Sequence, residues 1–222
     1  MAELKGLLFD MDGTLVDNMK YHFIAFEEYA KKMGFTVLEP MTPKFGGMHA
    51  EDCFNALVGK EIVQKYGAKT LEDGKEATYR EIYRPHMKPV AGLIELLQAA
   101  KNAGVKCAIG SAGSRENVAF IIEGLGIAEY IDASICGGDV TYAKPHPEIF
   151  TKAREALGLQ PEECIVVEDA VNGVRAGVAD GCKCIAVTTT TSVEGLTEAG
   201  ASMCIEDYTS LTIEGLNEWN KA

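Results

Sequence analysis

The chain has 222 residues, of which 47% are hydrophobic and 24% are charged. This composition is sufficient for a substantial core, in one large domain or in a main domain with a smaller insertion. The 33 Asp and Glu outnumber the 21 Lys and Arg, so the net charge is −12. We therefore do not expect nucleic acid or an anionic membrane surface to be the main partner, whereas a locally positive site for a phosphorylated small molecule remains compatible with this charge.

Seven cysteines are scattered along the sequence, and no two of them form a CxxC pair. Most lie in apolar, strand-like runs such as 106–109 and 164–167. We interpret them as buried, reduced thiols and not as a zinc site, which indicates a reducing cytoplasm. Residues 1–5 lack the layout of a signal peptide, and no apolar run approaches the length of about 18 residues that predicts a membrane span.

The first predicted element is a short buried strand at residues 5–10, which ends in a carboxylate. From residue 91 onward, helical and strand patterns alternate. Helices are predicted at 91–103, 115–125, 147–157 and 170–180, and strands at 105–109, 133–136, 164–167 and 184–187. This alternation predicts parallel βαβ units, and hence an α/β fold with a doubly wound, Rossmann-like parallel sheet.

Between the first strand and this series lie about 75 residues without a strand signal, which is too long for a simple loop. Helical patterns cover 18–33, 51–58, 61–66 and 71–83 instead. We therefore predict a small helical domain at residues 16–88, inserted after the first strand. Residues 1–15 and 89–222 are assigned to the α/β core domain. Two chain crossings, at 15–18 and 85–90, would make a hinge.

Polar side chains follow four of the predicted strands. In an open parallel sheet the ligand crevice lies outside the carboxyl ends of the strands. The residues predicted at this edge are Asp10 and Asp12 after the first strand, Ser111 after the second, Lys144 after the third, and Glu168 and Asp169 after the fourth. Their convergence predicts a functional site there.

The run from Asp10 to Thr14 places two carboxylates two residues apart at a strand end. In an extended chain Asp10 and Asp12 point the same way, and Gly13 lets the backbone turn. One carboxylate can attack phosphorus while the other handles the proton of the leaving group. The alternative is a solvated, Asp-rich turn, which is common.

Glu168 and Asp169 end an apolar run and precede a predicted helix. Asp169 can hold Mg²⁺ across the crevice from Asp10, or it can be the N-cap of that helix. The hydroxyl of Ser111 and the backbone N–H groups that follow, beginning with Ala112, can take phosphate oxygens, unless Ser111 is an ordinary loop or cap residue. Lys144 can offset anionic charge at a phosphate, or it can be a surface lysine.

Taken together, these residues resemble the haloacid dehalogenase superfamily over essentially the whole chain. The second aspartate implies the phosphotransferase branch, and the helical insertion resembles the C1-type cap of that superfamily. The resemblance implies that Asp10 is the nucleophile, that Asp12 is the general acid and then the base, and that Ser111, Ala112 and Lys144 bind phosphate. It further implies a Mg²⁺ cofactor held by Asp10, Asp169, Glu168 and the Asp12 carbonyl.

Within that superfamily the chain looks most similar to β-phosphoglucomutase and its sugar-phosphatase relatives. His22 matches the cap entry, although it can instead be a core histidine beside Phe26 and Tyr29. Gly46, Gly47 and His49 stand at a cap turn after which the mutase has an Arg, and Lys75 matches a cap Lys of the mutase unless it is solvated. A neutral imidazole holds a phosphate less firmly than a bidentate Arg.

We therefore expect a phosphatase of small sugar phosphates, with a hexose-phosphate mutase as the alternative. A third hypothesis is a non-enzymatic binding protein. It is disfavoured because the residues that catalysis would need are intact, namely Asp10, Asp12, Lys144 and Asp169.

Overall fold

The computed structural model describes residues 2–42 and 50–222. The chain divides into two compact units. The smaller unit is Asn18–Met87, and the larger unit consists of Met1–Asp17 and Lys88–Ala222. Within the described residues, no helix is both long enough and apolar enough to cross a membrane.

The smaller unit is helical. Its helices are α1 (Met19–Met33), α2 (Ala50–Val58), α3 (Lys60–Tyr66) and α4 (Ala68–Tyr83). The apolar faces of these helices enclose one core, which contains Phe26, Leu57 and Leu71. α1 ends at Gly34, whose left-handed conformation suits a glycine at a helix end. The side chain of Asn18 donates a hydrogen bond of 2.6 Å to the Tyr79 hydroxyl and so ties the start of α1 to α4.

The larger unit is a six-stranded parallel sheet flanked by helices. Its strands are β1 (Gly6–Phe9), β2 (Lys106–Gly110), β3 (Ala133–Ile135), β4 (Cys164–Glu168), β5 (Lys183–Val187) and β6 (Met203–Ile205), in the spatial order β3-β2-β1-β4-β5-β6. Its helices are α5 (Leu93–Asn102), α6 (Arg115–Leu125), α7 (Glu148–Leu157), α8 (Val171–Ala179), α9 (Val193–Glu198) and α10 (Ile213–Lys221). The predicted fold class is confirmed.

The strands at the centre of the sheet are hydrophobic along their whole length because helices cover both faces. Leu7, Leu8 and Phe9 of β1 are fully buried, and so are the apolar residues of β4. The seven cysteines are free thiols, and five of them are buried, in accordance with their predicted role as small hydrophobic residues.

The register of the sheet determines which loops share an edge. Phe9 of β1 pairs with Ile109 of β2 on one side and with Val167 of β4 on the other. Asp10 therefore emerges between the ends of β2 and β4. The loops that follow β1, β2, β4 and β5 thus leave the sheet at the same edge.

Candidate active site

A buried lysine joins two acidic side chains at the carboxyl edge of the sheet. Asp10 follows β1, Glu168 ends β4, and Lys144 lies in the segment between β3 and α7. The Lys144 Nζ donates hydrogen bonds of 2.6 Å to the Asp10 Oδ1 and 2.7 Å to the Glu168 Oε1. Its ammonium group also lies 4.7 Å from the ring centre of Phe150. The Lys144 side chain is 8% exposed and is bonded inside the site, so the alternative of a surface lysine is wrong.

The second acidic residue after β4, Asp169, is held by two hydroxyl groups. The Thr14 Oγ1 donates to the Asp169 Oδ1 at 3.1 Å, and the Thr190 Oγ1 donates to the Asp169 Oδ2. The N-cap of α8 is Ala170, which has no side-chain capping bond. The alternative that Asp169 caps this helix is therefore wrong.

Three carboxylates converge in this site. One oxygen each from Asp10, Glu168 and Asp169 lies within 4.8 Å of the others, and all three residues are buried. The Glu168 Oε2 additionally accepts the backbone N–H groups of Asp169 at 2.8 Å and Ala170 at 2.7 Å. Carboxylate oxygens at this spacing are a donor set that suits a hard divalent cation.

The electrostatics of the site also favour a bound cation. Burial, together with the neighbouring Glu168, raises the pKa of Asp10 to about 7, although Lys144 opposes this shift. Burial and the charges of Glu168 and Asp10 raise the pKa of Asp169 well above its ordinary value. Burial by itself lowers the pKa of Lys144, but Asp10 and Glu168 raise it above the usual range. One ammonium group does not balance three buried carboxylates, so a bound cation fits this site.

The loop after β2 brings Ser111 to the same edge. Ser111 is 1% exposed, and its Oγ accepts the backbone N–H of Gly113 at 3.0 Å. The N-cap of α6 is Ser114 and not Ser111, so Ser111 is not a helix cap. Ala112 is exposed, and Asp12 is half-buried. The convergent carboxylate cluster is formed without the side chain of Asp12, for which the resemblance implies a carbonyl ligand.

Two of the residues predicted for the insertion lie together within the smaller unit. The Lys75 Nζ lies 2.8 Å from the His22 Nδ1 and 2.7 Å from the Glu76 Oε1, and the His22 ring stacks on Tyr79 at 3.8 Å. Lys75 is 5% exposed, so the alternative of a solvated lysine is wrong. The predicted site residues Gly46, Gly47 and His49 lie outside the described residues.

The segment after β5 also belongs to the site, although none of its residues was among the predicted site residues. Thr189 donates to the Gly13 carbonyl and Thr190 to Asp169, so this segment fastens two of the site loops. A signal was available: the run 188–191 consists of four threonines directly after a buried strand. β5 adjoins β4, so the loop after β5 belongs to the same edge.

Comparison with known proteins relates this geometry to a family. A family model described as haloacid dehalogenase-like hydrolase matches residues 7–187. Hexitol phosphatase A of Escherichia coli (strain K12) is 32% identical over 87% of this chain and 88% of its own length. β-Phosphoglucomutase of Bacillus subtilis (strain 168) is 27% identical, over 97% of this chain and 95% of its own length.

Two further matches concern length and fold. The chloroplastic protein SUPPRESSOR OF QUENCHING 1 of Arabidopsis thaliana is 30% identical over 97% of this chain, which spans 21% of that protein. The crystal structure of a HAD hydrolase of family IA, variant 3, from Entamoeba histolytica HM-1:IMSS superposes with a TM-score of 0.86. It is 26% identical in sequence, and the match covers 99% of this chain and 100% of that one. The resemblance predicted from the motif residues is confirmed.

Proposed function

Because the chain belongs to the haloacid dehalogenase-like hydrolase family, we propose that it is a Mg²⁺-dependent phosphohydrolase that forms an aspartyl-phosphate on Asp10. The observation that carries the proposal is the buried set of three carboxylates with Lys144 bonded to Asp10. Hexitol phosphatase A and β-phosphoglucomutase among its relatives support a small phosphorylated metabolite, and a sugar phosphate in particular, as the substrate.

In the proposed first step, a carboxylate oxygen of Asp10 attacks the phosphorus of the ester. The bond from phosphorus to the ester oxygen breaks, and Asp12 gives its proton to that oxygen, so the alcohol leaves neutral. In the second step Asp12 takes a proton from water, and the water oxygen attacks the phosphorus. The bond between phosphorus and the Asp10 oxygen breaks, so inorganic phosphate leaves and the Asp10 carboxylate is restored.

The remaining groups bind and orient the phosphoryl group. Lys144, already bonded to Asp10, supplies positive charge at the phosphoryl oxygens, and the Ser111 hydroxyl and the backbone N–H of Ala112 donate to them. Asp10, Asp169, Glu168 and the Asp12 carbonyl would hold Mg²⁺. When bound, the ion supplies positive charge that offsets these carboxylates and polarises the phosphoryl group.

For the smaller unit, Asn18–Met87, we propose the role of a cap that selects the substrate. His22 and Lys75 are its candidate substrate residues, together with Gly46, Gly47 and His49.

One observation favours a second function, that of a hexose-phosphate mutase. A mutase must hold a second phosphate, and the buried ammonium group of Lys75 is a cation that the smaller unit offers. The mutase relative covers nearly the whole chain. We place hydrolysis first because the sequence has His49 where the mutase has an Arg.

The test is Mg²⁺-dependent release of phosphate from p-nitrophenyl phosphate, followed by a panel of sugar phosphates. A coupled assay from β-glucose-1-phosphate to glucose-6-phosphate, with catalytic glucose-1,6-bisphosphate, is run beside it. Hydrolysis of one or more sugar phosphates faster than interconversion supports the proposal. Interconversion much faster than any hydrolysis would reverse the order of the two functions, and no Mg²⁺-dependent turnover of any ester would contradict both.

A further inference from the structure

The carboxylate of Asp169 is fixed on both of its oxygens by hydroxyl groups from two different loops. Thr14 lies in the turn after β1 and donates to Oδ1, and Thr190 lies after β5, where its hydroxyl is shared between Oδ2 and the Asp169 backbone carbonyl at 2.9 Å. A carboxylate oxygen offers two lone pairs, so each oxygen keeps one for another partner. These two bonds determine the rotation of the carboxylate about its last side-chain torsion, which is otherwise broad.

The turn at Gly13 packs closely against the Asp169 carboxylate. Gly13 has a positive φ of 89°, and a Cβ at this position would overlap the Asp169 carboxylate. The Thr189 hydroxyl donates to the Gly13 carbonyl. The same short segment after β5 therefore holds both the turn beneath Asp169 and one oxygen of Asp169 itself.

From this geometry we infer that Thr190 is a positioning residue for Mg²⁺ binding, because its hydroxyl aims the Asp169 carboxylate toward Asp10. The inference rests on the proposed function, in which Asp169 and Asp10 share the ion. Hydrogen bonds to a ligating group fix its orientation, and loss of such a partner weakens metal affinity by about 10–100-fold. A neighbouring threonine offers a matched control, since the Thr188 hydroxyl donates to the Ile205 carbonyl at 3.2 Å and is not bonded to Asp169.

The experiment compares Thr190→Val, Thr190→Ser and Thr188→Val with wild-type protein by calorimetric titration of the metal-free proteins with MgCl₂. Thr190→Val keeps the shape of the side chain and removes the donor, so its dissociation constant for Mg²⁺ should rise about tenfold or more. Thr190→Ser keeps the hydroxyl and Thr188→Val leaves Asp169 untouched, so both should bind within about twofold of wild type. In turnover, Thr190→Val should need more Mg²⁺ for half-maximal rate and keep most of its rate at saturating Mg²⁺.

Three results would overturn the inference. The first is that Thr190→Val binds Mg²⁺ as tightly as wild type. The second is that Thr190→Ser binds as weakly as Thr190→Val, and the third is that Thr188→Val loses as much affinity as Thr190→Val. Wild-type protein that binds no Mg²⁺ would overturn the proposed function as well, which separates the two failures. If Thr190→Val does not fold, Thr190→Ala against Thr190→Ser gives the same contrast between loss and retention of the hydroxyl.

Discussion

At the scale of single residues, the site contains more buried negative charge than its lysine can neutralise. Asp10, Glu168 and Asp169 are each at most 7% exposed, and Lys144 is bonded to the first two. Burial therefore raises the pKa of Asp10 to about 7, whereas a nucleophilic carboxylate must be ionised. A bound divalent cation would favour the ionised form, so metal binding and activation of the nucleophile are coupled in the proposed reaction.

Asp10→Asn should abolish turnover and leave the fold intact. An amide cannot form the phosphoryl intermediate, and loss of a nucleophile costs on the order of 10⁴-fold or more in rate. The environment of Asp10 disfavours its charged form, so a neutral amide should be tolerated there. Near pH 8, the thermal midpoint of the metal-free variant should therefore be no more than about 2 °C below that of the metal-free wild type. Phosphate release and thermal unfolding are measured beside Asp17→Asn, which changes an exposed carboxylate in the same segment. A variant that keeps a tenth of the wild-type rate would exclude covalent catalysis at Asp10.

Mg²⁺ affinity should fall as the pH falls through about 7. In the metal-free protein Asp10 has a raised pKa of about 7, so below this pH a proton must leave before the ion binds. The proton on Asp10 lowers the affinity by up to about tenfold per pH unit and the raised pKa of Asp169 adds to this loss, whereas ordinary carboxyls would delay it to about pH 4. Calorimetric titration at about pH 6 and about pH 8 measures the difference. Equal affinity at the two values would show that Asp10 is already ionised without the metal.

At the scale of secondary-structure elements, α8 connects the site to the core of the larger unit. Gly173 and Gly177 lie one turn apart, and both are buried. A Cβ on Gly173 would overlap the Glu168 carboxylate, whereas a Cβ on Gly177 would lie 2.6 Å from the Cys184 Sγ and 2.9 Å from the Val166 Cβ. On one face of α8, Gly173 therefore makes room for Glu168, and Gly177 lets the helix pack closely on β4 and β5.

Gly173→Ala and Gly177→Ala should separate activity from stability. Both methyl groups overpack the interior, which costs about 1–3 kcal/mol in the free energy of unfolding. Only Gly173→Ala should also lower the rate measured well below the unfolding transition, because it displaces Glu168 and with it a hydrogen-bond partner of Lys144. Denaturant unfolding and p-nitrophenyl phosphate hydrolysis give the two quantities. Equal losses of rate in the two variants would show that position 173 has no specific effect on the site.

The elements and the site differ in how far the sequence predicts them. The helix 115–125 is found at the predicted residues, because its apolar spacing and its cap lie close together in the chain. The strand β6 was not predicted, although β3, which is equally short and half-buried at the opposite edge of the sheet, was predicted. The bond from Thr189 to Gly13 joins residues 176 positions apart. Periodicity carries no information about such a contact, which depends on how two loops meet after the sheet has formed.

At the scale of the whole molecule, the proposed metal ligands all lie in one of the two units. Asp10, Glu168 and Asp169 belong to the larger unit, and so do Lys144 and Thr190. The smaller unit, Asn18–Met87, has its own hydrophobic core. An ion bound by these ligands should therefore stabilise the larger unit directly.

Mg²⁺ should raise the thermal midpoint of the metal-free protein and slow hydrogen exchange chiefly in the larger unit. A ligand at 100 times its dissociation constant adds about 2.7 kcal/mol to the stability of the state that binds it. At about 2–4 °C per kcal/mol for a chain of this size, the midpoint should rise by roughly 5–10 °C. Amides of β1 and β4, which carry Asp10 and Glu168 at their ends, should gain the most protection from exchange.

The exchange of amides within α1 and α4 is governed by the free energy of opening of the smaller unit. Mg²⁺ should therefore change their exchange rates little. The Asp169→Ala variant is the control, because it lacks a proposed ligand and should lose most of the Mg²⁺-dependent protection in β1 and β4. Equal protection of both units in the wild-type protein would mean that the two units unfold as one cooperative body. Protection in β1 and β4 that persists in Asp169→Ala would place the ion elsewhere and contradict the ligand set.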